Sequence, residues 1–125
     1  MFRRIAAALV LGLAVTAPAA QAHHSYAMFD RSKTVTLNGT IRQFQWTNPH
    51  SWIQLTVPND AGGTDEWSIE MGSPFELLRV GWTSTTVHAG DKVSIQIHPV
   101  KDGTKGGGFV SGTDAAGHAL GGGKG

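Results

Sequence analysis

The chain has 125 residues, with 10 Lys+Arg against 9 Asp+Glu, 6 histidines and no cysteine. A near-neutral charge without a Lys/Arg cluster gives no electrostatic footprint for nucleic acid. The lack of cysteine excludes thiolate metal sites and disulfide exchange, so any fold must rest on its core alone.

Residues 1–22 read as a secretory signal. Arg3 and Arg4 supply the positive start, Ile5 to Ala17 is small and apolar, and Ala20-Gln21-Ala22 fits a signal-peptidase site. The apolar run is too short to span a bilayer comfortably and no stop-transfer segment follows, so a periplasmic or secreted protein without a membrane span is expected. Cleavage after Ala22 leaves 103 residues, enough for one domain, and removes two arginines, leaving 8 basic against 9 acidic side chains.

The next elements are strands. Val35, Leu37 and Ile41 share one parity while Phe44 and Trp46 fall on the other. That change of phase around Arg42-Gln43 predicts a β-bulge bending a long first strand. Gly39 inside it predicts a tight bend or a close backbone approach. Asn48-Pro49 reads as a turn. Ile53, Leu55 and Val57 alternate with polar residues in a second strand, and Trp67, Ile69 and Met71 do so in a third. Trp46 and Trp67 fit the apolar phase and are expected in the core.

"SPFELLRVGW" predicts one short helix. Ser73 is its N-cap, Pro74 its first position, Glu76 closes a capping box, and Gly81 ends it with Trp82 folding back on Leu77 or Leu78. Val93, Ile95 and Ile97 give a fourth strand, "GGGFVSG" a fifth, and "TDAAGHAL" a turn leading to a short sixth. The expected fold is therefore all-β with one short helix: an OB-like five- to six-stranded antiparallel barrel over residues 23–120, followed by a Gly-rich tail at 121–125.

The stretches "AHHS", "GTI" with Phe44 and Trp46, "NPH", "SP" with Leu77 and Arg79, then "GW" and "GD" resemble a family of small exported bacterial proteins of unknown function. The resemblance spans roughly residues 22–120. It implies a compact secreted β-domain and no particular activity.

Candidate chemistry starts at the cleavage site. A cut after Ala22 makes His23 the first residue, whose α-amine and imidazole can chelate one metal ion together. A histidine from the fold would complete a three-nitrogen histidine brace, a donor set that suits copper. His50, after the Pro49 turn, is the candidate, with His24 in support and Asn48 or Ser51 orienting the ring. A solvated His-His tail, and a His50 that merely caps its turn, are the competing readings. His88, His98 and His118 read as exposed turn residues. Asp30 and Glu70 can offer an oxygen ligand, although carboxylates are usually solvated. Met28 is a soft donor for reduced copper.

Trp52 is out of phase with the second strand's apolar face, so it should point outward beside His50 and, with Asn48, form a ligand or partner surface. No hydrolase, metalloprotease or phosphate-loop motif occurs, and Asp65 and Glu66 point to opposite faces of a strand. The sequence therefore points to a non-enzymatic binding protein, with copper as the cofactor of the sharper reading. A metal-free module docking an envelope protein or small ligand is the alternative.

Overall fold

The computed structural model describes residues 26–121, so His23, His24 and the signal-like segment lie outside the described residues. Strand β1 runs Val35–Gln45, β2 Trp52–Pro58 and β3 Thr64–Glu70; helix α1 is Pro74–Arg79; β4 is Lys92–Pro99 and β5 Gly106–Asp114. The strands close into a barrel in the order β1-β2-β3-β5-β4, and β4 pairs back onto β1. Every pairing is antiparallel except β3 with β5, which is parallel. That order, with a helix between the third and fourth strands, is the OB arrangement.

The bend in β1 has the cause its phase change implied. Its pairing with β2 slips between Ile41 and Gln43, where the extra residue turns the following side chains onto the other face. Leu37 and Ile41 enter the core before the slip, while Phe44 packs against it afterwards. Gly39 is needed by contact: a Cβ there would sit 2.5 Å from the carbonyl oxygen of Thr56. The strand can bend this tightly against β2 only without a side chain at that point.

Inside the barrel, Ile53, Leu55, Ile69, Ile95 and Ile97 are fully buried. Helix α1 begins as its sequence dictates. The Ser73 hydroxyl accepts from the Glu76 N–H, and the Glu76 carboxylate accepts from the Ser73 N–H. It ends when Gly81 takes a φ of 88°. Gly81 N–H then donates to Leu78 O and Trp82 N–H to Leu77 O, the paired bonds of a Schellman stop. This stop swings Trp82 inward, and its ring meets Phe44 and Phe109 edge-on, with centroids 5.8 and 5.4 Å away.

Three expectations change. The sixth segment is no strand, only a bridge between Thr113 and Ala119, so the barrel has five strands. Met71 lies just past the end of β3. Trp82, at 3% exposure, is a core tryptophan, whereas Trp46 and Trp67 pack at the core's margin. A helix stop can place an aromatic ring deeper than strand parity does.

Candidate functional site

Outside the barrel, the alternation of β3 produces an anomaly. Ile69 points into the core, so Glu70 must point to the outer face, where a carboxylate is ordinarily solvated. Glu70 is nevertheless only 7% exposed. The chain entering the barrel runs along the neighbouring strands on this face. Phe29 bridges Val100, Asp30 N–H donates to Pro99 O, and Lys101 N–H donates to Met28 O. The Phe29 ring lies against Gly108: a Cβ on that glycine would be 3.2 Å from its Cδ2.

Strand register explains what the covered face holds. Glu70 pairs with Trp52 on one side and with Gly108 on the other, and Gly108 pairs in turn with His98. Directly paired residues share a face. Trp52, Glu70, Gly108 and His98 therefore form a row across four strands, with a glycine leaving open space between the carboxylate and the imidazole. Over this row opens a cleft of about 300 Å³ bordered by Phe29, Arg31, His50, Glu70, His98 and Phe109, together with Met71, Gly72 and Gly108.

His50 reaches the cleft from the loop before β2. Ser51 N–H donates to Gly72 O and Met71 N–H to Ser51 O, which fixes this loop against the end of β3. The Thr47 hydroxyl donates to His50 O and closes the turn. His50 Nδ1 lies 2.9 Å from Met71 O. A carbonyl can only accept, so Nδ1 carries the hydrogen and Nε2 holds the lone pair. His98 repeats the arrangement, with Nδ1 2.8 Å from Lys33 O. Both rings are thus held by backbone carbonyls in the tautomer that leaves Nε2 free to bind.

Glu70 completes the group. Its Oε1 is buried without a hydrogen-bond partner among the described residues, and His50 Nδ1 lies 3.7 Å from it. Buried polar atoms in native folds are nearly always paired, so an unpaired carboxylate oxygen beside an imidazole marks a place where positive charge is welcome.

The structure brings His50, His98 and Glu70 to one cleft; sequence reasoning missed His98 and named Glu70 only as an oxygen ligand beside Asp30. His98 is half-buried with a fixed ring, where an exposed turn residue was expected, and Glu70 is covered, where a solvated carboxylate was expected. His50 is oriented by Met71 O, where Asn48 or Ser51 was expected to do so. Asn48 is exposed and, like Trp52, does not line the cleft; Trp52 is half-buried on the outer face, in register beside Glu70. His88 and His118 are exposed turn residues near Asp91 and Asp114, as expected. No set of three His, Asp or Glu side chains among the described residues stands close enough to hold a metal ion by itself. No helix among them is long and apolar enough to cross a membrane.

Fold and cleft define a small OB-type barrel with a covered, histidine-lined cleft on its outer face. The chain belongs to the family of unknown function DUF6152, whose model matches residues 9–109. No curated protein matches it. Among solved structures, it is similar to the mitochondrial single-stranded DNA binding protein Rim1 of S. cerevisiae, at 13% identity and a TM-score of 0.48, over 66% of this chain and 94% of that one.

Proposed function

We propose that the protein is an exported, non-enzymatic binding module whose ligand is a metal ion, copper above others, held at the cleft through His50 and the mature N-terminus. The observation that carries this reading is the His50 ring, tied by Met71 O so that Nε2 is its free donor, beside a buried and unpaired Glu70 oxygen. Ligating histidines usually give their other N–H to a carbonyl or carboxylate in this way.

The N-terminal contribution is supported by reach. Phe29 borders the cleft, and His23 stands six residues before it. Tyr26–Met28 form a 3-10 turn that rises about 2 Å per residue. The three steps from His23 to Tyr26 add at most about 10 Å, a reach that allows the α-amine and imidazole of His23 to return to His50, with His24 alongside. Three nitrogens in one plane favour Cu(II), which also heads the divalent affinity order.

The test is Cu(II) titration, against glycine as competitor, of protein beginning at His23 and of the same protein with one extra alanine in front. The extension leaves every side chain in place and moves the amine. A marked loss of affinity supports the brace; equal affinities reject it. If neither protein binds the ion, the metal-free reading, a small ligand or envelope partner at this face near Trp52, takes its place.

A further inference from the structure

Two imidazoles face one cleft here, and the brace uses only one. Glu70 and His98 each pair with Gly108, so two strand spacings, about 10 Å, separate their backbones. Nothing but hydrogen projects from the residue between them. Glu70 and His98 at the two ends of that gap, and His50 on the loop at its edge, all border the same 300 Å³ space. A Cβ at Gly108 would press on the Phe29 ring, so the glycine also keeps the cover seated above this space.

We infer that His98 is a second imidazole donor of this cleft, and that the barrel offers a His50–His98 seat for a copper- or zinc-class ion independent of the N-terminal amine. Each ring has its Nδ1–H committed to a backbone carbonyl, Met71 O for His50 and Lys33 O for His98. Each therefore keeps Nε2 as the ring atom left to meet an ion of this class. Glu70 stays outside the coordination sphere. Its Oε1 lies on the Nδ1 side of His50, 3.7 Å away, where it offsets the charge that a bound cation transfers to the ring. Two imidazoles make an incomplete set, consistent with the absence of a three-residue metal cluster among the described residues. Water, or the N-terminal histidine of the proposed brace, fills the remaining positions. The inference thus rests on the cleft of the proposed function while separating from its N-terminal part.

The experiment crosses two changes. His98→Asn keeps an N–H donor near Lys33 O and removes the Nε2 lone pair; circular dichroism and thermal melting verify that the variant folds. Cu(II) and Zn(II) affinities are measured for the protein beginning at His23 and for the alanine-extended protein, each with and without His98→Asn. The expected result is weaker but measurable binding in the extended protein, falling roughly tenfold or more with His98→Asn, at least the loss known for outer ligand partners. Binding by the extended protein that ignores His98→Asn, or no binding by the extended protein at all, overturns the inference. An extension without effect combined with a large loss in His98→Asn rejects the brace and leaves the two-imidazole seat standing. The reverse pattern keeps the brace and removes His98. Should His98→Asn fail to fold, His50→Asn in the extended protein decides the matter: retained affinity overturns the seat and lost affinity supports it.

Discussion

At the scale of single residues, the chemistry concentrates in Glu70, a carboxylate on the outer face that is buried with one oxygen unpaired. Replacing it by Gln preserves shape and removes the negative charge beside His50 Nδ1. Glu70→Gln should lower metal affinity about 10–100-fold, as loss of an outer partner does, while leaving the stoichiometry at one ion. Isothermal titration separates those two quantities, and a loss well beyond 100-fold would make Glu70 a direct ligand. His50 was legible in the sequence because Asn48-Pro49 flags the turn that presents it. The meeting of His98 and Glu70 was not, since it depends on which strands flank β5, and that follows from barrel closure with no local signal. The tryptophans teach the same lesson. Trp82→Ala should cost about 3–5 kcal/mol, since the ring is enclosed by Phe44 and Phe109. Trp52→Ala should cost clearly less, because its side chain lies half-buried on the outer face. Denaturant midpoints that rank these variants the other way would contradict the packing described.

Among the elements, β1 and α1 are the best specified. The phase change at Arg42-Gln43 predicted the slip that pairing with β2 displays, and Gly39 predicted the close approach to Thr56. Gly39→Ala should destabilise the barrel by about 1–3 kcal/mol, because the new methyl group meets a backbone carbonyl that can move only by parting the two strands. Urea denaturation measures this; unchanged stability would mean that β2 yields freely. The capping box was equally readable, since Ser73, Pro74 and Glu76 act through adjacent backbone. Ser73→Ala should cost about 1 kcal/mol. The supposed sixth strand shows where local reading ends. The turn after β5 is held by Asp114, which accepts from the Ala116 and His118 N–H groups, and β5 already has both neighbours it needs.

For the whole molecule, closure of five strands without disulfides leaves stability to the core and to water-facing polar turns. Acid should act through the turns. Asp30 is held below the ordinary aspartate range by the Ser32 hydroxyl, Asp65 by the Asn59 amide, Asp102 by the Thr104 side chain and Asp114 by the His118 N–H. A depressed folded value means that the unfolded chain takes up protons first. The contribution is therefore complete above the ordinary value of about 4 and is lost as pH falls through the lower folded values. Thermal melting at about pH 6 and about pH 3 should show a modest drop, small because these carboxylates face water. The OB order itself was legible, since three strands, a capped helix and two strands leave few ways to close.

The central claim is that the cleft of His50, Glu70 and His98 is where the protein binds its ligand. Its most direct test is paramagnetic broadening in the amide NMR spectrum as substoichiometric Cu(II) is added to protein beginning at His23. The account predicts that the signals of His50, Met71, Gly72, His98 and Gly108 broaden first, while those of His88 and His118 persist. Broadening that begins at His88 or His118, or spreads evenly over the chain, would contradict it.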